Sequence, residues 1–245
     1  MRIPRIHTGQ ALVNAAELAL ESAASHHLTK VLRMGAGDAV TLFNGKGGEY
    51  PSIIKAVSRK TVTLTIGEKQ DKDCESPLAI HLGIAISRGE RMDWIIQKAT
   101  ELGVSQISLL FTERVEVKLD ADRAEKKLRH WQEVAINACE QCGRNRLPHL
   151  SLPQNMSSWF AGTEAMRKFV LHHRASSPPD SMGEPSSIAL LVGPEGGLSA
   201  AEIEQAENNG YVALSLGPRV LRTETAPLAA LAILQSKWGD MKTSA

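Results

Sequence analysis

Two glycine-rich turns hold the residues of this sequence whose types and spacing are most suited to chemistry. The first, GPEGG at residues 193–197, joins the apolar run LLV to a segment that opens with Ser199, a residue typical of a helix N-cap. The second, LGPRVLRTETA at residues 216–226, places Arg222 between another apolar run and a further helix start. A turn that leads from a strand into a helix points backbone N–H groups at a ligand, and that ligand is usually a phosphate.

The charge and spacing of the first turn argue against a phosphate. A P-loop needs G-x-x-x-x-G-K-[ST] and the dinucleotide fingerprint needs G-x-G-x-x-G, and the turn matches neither pattern. Glu195 lies inside the turn and would repel a phosphate, so the turn suits a neutral or cationic ligand. Its glycines would let a ligand approach the backbone closely. Ser199 and Glu202 have the spacing of a helix-capping box, which is a structural role.

The overall charge of the chain excludes one class of function. The 245 residues include 28 basic and 27 acidic side chains, which leaves a formal net charge of +1. This excludes a chain-wide nucleic-acid footprint but not a local basic face. No apolar run reaches the length of a membrane span, and the first residues lack the apolar core of a signal peptide. We therefore expect a cytoplasmic protein.

The cysteines predict neither a disulfide framework nor a metal site. There are three of them, and Cys139 and Cys142 form a C-x-x-C. Structural zinc needs four ligands, and no second pair has a suitable spacing. A redox C-x-x-C is activated at a helix N-terminus, whereas this pair lies near the end of a helical pattern. We interpret the pair as structural and expect no metal.

The predicted elements divide the chain into two parts. Up to about residue 70 the chain predicts a small β-rich, barrel-like unit, with strand-like runs at 39–45, 45–57 and 61–67 and a short helix at 22–34. The polar stretch 70–77 ends in proline and is typical of a linker. Beyond it, strands alternate with helices, which predicts an α/β domain on a mostly parallel sheet.

The alternating part contains the candidate site. Its strand-like runs are 78–86, 105–112, 168–173, 187–193 and 211–217, and its helical runs are 90–104, 121–143 and 223–238. The last helix is apolar on nearly every side, which is typical of a helix buried in a core or a subunit interface. Ligands of such sheets bind at the carboxyl ends of strands, so the turns after the last three strands are expected there. The Pro- and Ser-rich stretch 174–187 is expected to be a long loop, either disordered or functional.

Several long motifs resemble one protein family. GPEGGLS-x-x-E followed by LGPRVLRTETAPLAAL is similar to the ribosomal RNA small subunit methyltransferase E family of the SPOUT class. RGERMDWIIQKATELGV at 88–104, NACEQCGRNRLP at 137–148 and HHLTKVLRMGAGDAVTLFNGKGGEY at 26–50 resemble the same family. The resemblance covers almost the whole chain.

The resemblance implies a fold that strand and helix patterns do not show. It implies a PUA-like β-barrel RNA-binding domain at residues 1–72 and a SPOUT α/β methyltransferase domain at 73–245, with a deep C-terminal trefoil knot. Strands and helices alone would suggest an ordinary open sheet, because chains rarely knot. It further implies a homodimer with the active site near the subunit interface.

The resemblance also implies a reaction and a cofactor. It implies methylation of N3 of a uridine in 16S ribosomal RNA, on the assembled 30S particle, with S-adenosylmethionine as the donor. This donor carries a sulfonium cation and an adenine and no phosphate, so it is compatible with a turn that contains Glu195. The residues implied for the cofactor are Leu171, His172, Leu191, Gly193, Pro194, Gly196, Gly197, Leu198, Leu216, Gly217, Leu221, Arg222, Thr223 and Ala226.

Four residues are candidates for the chemistry. A cation near the uracil oxygens would stabilise the N3 anion; Arg222 is the first candidate and Arg144 the second. Glu140 or Glu195 would serve as the general base. The alternative for each is an ordinary ion pair at a helix end. The candidates for RNA binding are Arg2, Arg5, Arg33, Arg88, Arg91 and Lys98; the alternative for Arg91 and Lys98 is that they pair with Glu101 at the surface.

Two other functions remain open. One is a catalytically inactive RNA-binding or ribosome-assembly module. A module of that kind is expected to lose its glycines or the LRTETA segment, and this chain has both. The other is a nucleotide-binding transferase on an open sheet, and the missing P-loop lysine argues against it.

Overall fold

The computed structural model describes residues 3–115, 119–172 and 183–242. Arg2 and most of the loop predicted at 174–187 lie outside the described residues. The chain divides into two compact units, residues 1–75 with 136–147 and residues 76–135 with 148–245. Within the described residues, no helix is both long and apolar enough to cross a membrane.

The first unit is built on a five-stranded sheet with the order β1-β3-β4-β5-β2. Its strands are β1 (Arg5–His7), β2 (Glu17–Ala19), β3 (Ala39–Phe43), β4 (Tyr50–Val57) and β5 (Val62–Ile66). Strand β1 pairs parallel with β3, and the other pairs are antiparallel. The predicted helix is present as α1 (Ser22–His26), which continues into a π-helical turn at His27–Val31.

Alternating side chains give this unit its core. In β4 and β5, every second residue is buried along the first part of each strand, because successive side chains point to opposite faces. The buried set includes Leu28, Leu42, Ile54 and Leu64, each at most 1% exposed. The strand-like runs predicted from sequence are confirmed here.

Residues 136–147 belong to this unit, which the sequence did not predict. The Asn145 side chain donates to the Lys72 carbonyl over 2.9 Å, and the Gly47 N–H donates to the Asn145 carbonyl over 3.0 Å. An isolated antiparallel bridge joins Lys46 to Arg146. The domain limits expected at 1–72 and 73–245 did not assign residues 136–147 to the first unit, because the apolar pattern of the helical run 121–143 does not change at residue 136.

The second unit is a six-stranded parallel sheet with the order β11-β9-β10-β6-β7-β8. Its strands are β6 (Ala79–Ala85), β7 (Gln106–Phe111), β8 (His149–Asn155), β9 (Arg167–Leu171), β10 (Ser187–Val192) and β11 (Val212–Leu214). Its helices are α2 (Arg91–Glu101), α3 (Ala121–Cys142, whose last turns count with the first unit), α4 (Met156–Gly162), α5 (Ala200–Asn208) and α6 (Thr225–Trp238). The predicted α/β class with a parallel sheet is confirmed. The knot that the resemblance implies stays a prediction.

The strand order places the last three strand ends close together. Strand β10 pairs with β6 on one side and β9 on the other, and β9 pairs in turn with β11. All of these pairs are parallel, so the turns after β9, β10 and β11 leave the same edge of the sheet. The sequence predicted the turns, and the pairing brings them together.

Side chains cover the sheet on both faces, as expected for a parallel sheet. One face packs Leu82, Ile84 and Leu190 in the same core as Ile96 and Leu231. The other face packs Leu191 and Val170 with the aromatic side chains of Trp159, Phe160 and Tyr211. Helix α6 buries Leu231 and Leu234, while Ile233 is 50% exposed.

Candidate functional site

The turns after β9, β10 and β11 enclose a pocket of about 270 Å³ at the carboxyl edge of the sheet. Backbone and apolar side chains make most of its walls. The lining residues are Leu171, His172, Val192, Gly193, Pro194, Glu195, Gly196, Gly197, Leu198, Leu214, Leu216, Gly217, Arg219, Val220, Leu221, Thr223 and Ala226. We call this the turn pocket.

Most residues predicted to bind a cofactor line the turn pocket, and two do not. Leu191 is fully buried in the aromatic cluster on the other face of the sheet. The Arg222 side chain is exposed, and its carbonyl accepts hydrogen bonds from the N–H groups of Thr225 and Ala226 at the start of α6. The roles of all these residues stay predictions.

Some lining residues were not predicted for a cofactor. Val192 and Leu214 end β10 and β11, and Arg219 and Val220 stand in the turn after β11. The signal for Val192 was available, since it directly precedes the GPEGG turn. Nothing local distinguishes Val220, which is an exposed apolar side chain in a loop.

The GPEGG turn needs glycine at specific positions. A side chain on Gly193 would place its Cβ 2.9 Å from the backbone N of Leu198, closer than real Cβ atoms come. Gly197 has φ +67°, and its N–H donates to the Pro194 carbonyl over 2.8 Å. Gly217, in the neighbouring turn, has φ +97°. Both φ values lie in the left-handed region that glycine adopts without strain.

The predicted capping box is confirmed at the start of α5. The Ser199 side chain accepts a hydrogen bond from the Glu202 N–H, and the Glu202 side chain accepts one from the Ser199 N–H. The second Glu202 oxygen accepts from the Glu113 N–H over 2.7 Å. These contacts hold the end of the turn pocket in place, so we assign both residues to structure.

Arg91 connects the GPEGG turn to the turn that precedes α6. Its Nη1 donates to Glu195 Oε1 over 2.7 Å, and its Nε lies 3.8 Å from Glu224 Oε2. Burial alone would raise the pKa of Glu195, but hydrogen bonds from its own backbone N–H, Arg91 and the Arg88 backbone outweigh burial and lower it. A carboxylate with a lowered pKa is a weaker base, which counts against Glu195 as the proton acceptor.

Glu140 and Arg144 lie in the other unit and make contacts there. Glu140 Oε1 accepts from the His7 N–H over 2.9 Å. Arg144 is 4% exposed, and its Nη2 pairs with Glu75 Oε2 at 2.5 Å. Burial would lower the pKa of Arg144, but the hydrogen bonds and charge of Glu75 outweigh burial and raise it. The guanidinium therefore serves a buried ion pair, which favours the structural alternative for this residue.

The predicted RNA-binding residues differ in exposure. Arg5 is buried in an ion pair with Glu49, and its Nη2 donates to Asn145 Oδ1 over 2.6 Å, so its guanidinium is used inside the first unit. Lys98 pairs with Glu101 at 2.8 Å. The remaining described ones, Arg33, Arg88 and Arg91, are exposed.

The C-x-x-C makes a structural contact. The buried Cys139 Sγ lies 3.6 Å from the Arg146 carbonyl, to which it donates. Burial raises the pKa of the Cys139 thiol to about 12, so it stays protonated and weakly reactive. Across the described residues, no cluster of three or more His, Cys, Asp or Glu side chains could hold a metal ion.

Two family profiles match the chain. One, described as an RNA methyltransferase domain, matches residues 74–235, and one described as an RNA methyltransferase PUA domain matches residues 20–67. Among curated proteins, the ribosomal RNA small subunit methyltransferase E of Buchnera aphidicola (subspecies Schizaphis graminum) is 39% identical over 98% of both chains. The Bacillus subtilis protein of that name is 32% identical over 93% of both chains.

Solved structures agree with these matches. A methyltransferase from Legionella pneumophila with bound S-adenosylmethionine is 42% identical, with a TM-score of 0.94 over 98% of this chain and 100% of that one. The ribosomal RNA small subunit methyltransferase E of Neisseria gonorrhoeae, bound to S-adenosylmethionine, is 36% identical, with a TM-score of 0.92 over the same shares of the two chains. Together with the profile that covers most of the chain, these relatives show that it belongs to the ribosomal RNA small subunit methyltransferase E family.

Proposed function

We propose that this protein transfers a methyl group from S-adenosylmethionine to N3 of a uridine in 16S ribosomal RNA, on the assembled 30S particle. The observation that carries the proposal is the turn pocket, which gathers three strand ends in a chain whose relatives bind this cofactor. A cytoplasmic homodimer, a knotted second unit and RNA binding by residues 1–72 are part of the same proposal.

The lining of the turn pocket fits three chemical groups of S-adenosylmethionine. Leu171, Leu198 and Leu216 offer apolar surface to an adenine ring. Glu195 brings a negative charge that suits a sulfonium, and Arg219 brings a positive charge that suits a carboxylate.

When bound, the cofactor supplies a methyl group on a positively charged sulfur. The task of the protein is then mostly positioning, because in-line transfer needs the acceptor nitrogen close to the methyl carbon and aligned with the breaking bond. Rigid turns suit this task. The capping box at Ser199 and the hydrogen bond from Gly197 to Pro194 both restrain the turn after β10.

The acceptor nitrogen must lose its imide proton before it can attack. A guanidinium beside the uracil oxygens would stabilise the resulting anion. Arg222 supports this role best among the candidates, because it is exposed next to lining residues Leu221 and Thr223. Glu195 is held by Arg91 and Arg144 by Glu75, which leaves both less suited to proton transfer or charge stabilisation.

The inactive assembly module is the second candidate function. It would keep RNA binding and lose the donor site. The glycines at 193, 197 and 217 argue for a working donor site, since a degenerate pocket would have no need of close backbone approach or left-handed turns.

Methyl transfer to small ribosomal subunits tests the proposal directly. The substrate would be 30S subunits from a bacterium whose own enzyme of this family has been deleted, incubated with methyl-labelled S-adenosylmethionine. The RNA would then be digested to nucleosides and compared with 3-methyluridine, 5-methyluridine and 2′-O-methyluridine standards. We expect label only in 3-methyluridine, and kcat reduced about 10²-fold or more in Arg222→Gln with cofactor affinity unchanged.

Each result decides between the candidates. Label in another nucleoside would contradict N3 as the acceptor. Subunit binding without any label would favour the assembly module. A full rate for Arg222→Gln would remove the charge-stabilising role from that residue. Arg167→Gln is a matched control, because Arg167 begins β9 at the opposite edge of the sheet.

A further inference from the structure

A second pocket lies against the outer side of the GPEGG turn. Its volume is about 630 Å³, and three arginines are among its lining residues, which are Arg88, Gly89, Glu90, Arg91, Arg114, Glu195 and Gly196. We call it the arginine pocket. Glu195 and Gly196 line both this pocket and the turn pocket, so the GPEGG turn lies between the two sites.

The arginine pocket already holds an anionic group of the protein itself. The Glu195 carboxylate accepts a hydrogen bond from Arg91 Nη1 over 2.7 Å and is stabilised by the Arg88 backbone. Arg114 Nη1 donates to the Gly196 carbonyl over 2.7 Å. A guanidinium has five N–H donors, and a single carbonyl uses one of them. Arg91 and the Arg88 backbone therefore donate to a carboxylate in this pocket, and Arg114 donates to a carbonyl of the adjacent residue.

We propose that the arginine pocket binds a backbone phosphate of the RNA substrate, and that Glu195 occupies part of the pocket until the RNA arrives. The inference rests on the proposed function, since it concerns the same RNA. Arginine suits a phosphate because its planar donors can pair with two oxygens at once. A phosphate held here places the neighbouring nucleotide beside Gly196, which is also a wall of the turn pocket.

The charges around the pocket predict competition. Three arginines line the pocket together with Glu90 and Glu195, and Glu224 Oε2 lies 3.8 Å from Arg91 Nε. A phosphate must displace Glu195 from Arg91 to pair with it. Removing the charge of Glu195 should therefore strengthen RNA binding, which is the opposite of what loss of a substrate-binding residue would do.

The test compares Arg88→Gln with Arg114→Gln, singly and combined, in the full chain. The probe is the unmethylated 30S subunit, and KM for subunits is measured from 50 to 200 mM salt. We expect each single change to raise this KM about five- to tenfold, and the slope of log KM against log salt to fall by about one for each phosphate that the variant no longer neutralises. Arg114→Lys should recover part of the loss because it keeps the charge. Arg167→Gln is the control.

Calorimetric titration with S-adenosylmethionine separates this inference from the proposed function. We expect the same Kd in wild type and in both arginine variants. A KM for subunits equal to that of the Arg167→Gln control would overturn the phosphate site while wild-type methylation upholds the function. An S-adenosylmethionine Kd that weakens in step with KM would also overturn it, because the arginines would then act on the turn pocket. A wild type that neither binds the cofactor nor methylates subunits would refute the function itself.

Glu195→Gln provides a second, opposite readout. With S-adenosylhomocysteine present to prevent turnover, we expect this variant to bind 30S subunits about three- to tenfold more tightly than wild type at low salt. Unchanged or weaker binding would overturn the idea that Glu195 competes with the phosphate.

Discussion

The two edges of the parallel sheet hold pockets of different character. At the carboxyl edge, glycine turns and apolar side chains surround the turn pocket. At the amino edge, a pocket of about 420 Å³ is lined by residues that include His81, Ser105 and Gln106. Beside it, the Trp159 Nε1–H donates to His81 Nε2 over 3.1 Å, and Ser108 Oγ lies 2.8 Å from the same nitrogen.

This difference suggests that the two ends of the same strands have different roles, one in the stability of the fold and one in ligand binding. His81, Ser108 and Trp159 form hydrogen bonds with one another on this side of the sheet, so they contribute to a packed, hydrogen-bonded core. Turn backbone at the carboxyl edge is shaped for a ligand instead. Substitutions at the amino edge should therefore change the free energy of unfolding, and substitutions in the turns that line the turn pocket should change cofactor affinity.

The largest expected effect is at the amino edge. Trp159 is 1% exposed, and its ring lies against Gly83 so closely that a Cβ there would come within 2.3 Å of it. We expect Trp159→Ala to lower the free energy of unfolding by about 3–5 kcal/mol in urea titration. Trp94→Ala is the control, because Trp94 is 51% exposed. The affinity of the folded Trp159→Ala variant for S-adenosylmethionine should match that of wild type. A weaker affinity would contradict the assignment of stability to one edge and cofactor binding to the other.

Two glycines with similar left-handed backbone conformations allow cofactor binding to be compared at equal backbone strain. Gly217 has φ +97° and Gly210 has φ +82°, and a Cβ at either position would meet nothing within 4 Å. Alanine at each position should cost about 1–2 kcal/mol of unfolding free energy, because the left-handed conformation is strained for it. Only Gly217→Ala should also weaken S-adenosylmethionine binding, by about tenfold in calorimetry. Equal affinities for the two variants would show that the turn after β11 does not hold the cofactor.

The last expected effect is a pH dependence at the amino edge. Burial, with a smaller contribution from the charge of His149, lowers the pKa of His81 from 6.5 to about 4. The unfolded chain therefore takes up this proton before the folded one does. The stabilisation is complete above pH 6.5 and declines as the pH falls towards 4.

The measurement is the urea midpoint between pH 4 and 7 for wild type and His81→Gln. Glutamine can still accept from Trp159 but does not titrate, so its midpoint should fall less steeply with acid. Parallel curves would show that His81 does not carry the effect. S-adenosylmethionine affinity should be alike in both proteins at pH 7.

Local sequence was sufficient for the elements with long or regular patterns. The helical run 90–104 became α2, and the run 187–193 became β10. Four elements were missed: β1, β2, β8 and α4. Two of them have only three residues, too few to show a period. The third, β8, contains Pro153, which is tolerated because β8 is the edge strand of its sheet.

By itself the sequence determined the two glycine turns, the capping box at Ser199, the α/β class and the family resemblance, because each depends on residues close together in the chain. Only the tertiary structure decided that β10 lies between β6 and β9, that Arg5 and Arg144 are buried in ion pairs, and that Arg88, Arg91 and Arg114 share a pocket. These facts join residues far apart in sequence. The periodicity of apolar residues indicates which side of an element is buried, but strand pairing decides which distant side chains meet. The sequence of a charged residue is the same whether its side chain contacts water or a buried carboxylate, so only the fold distinguishes the two.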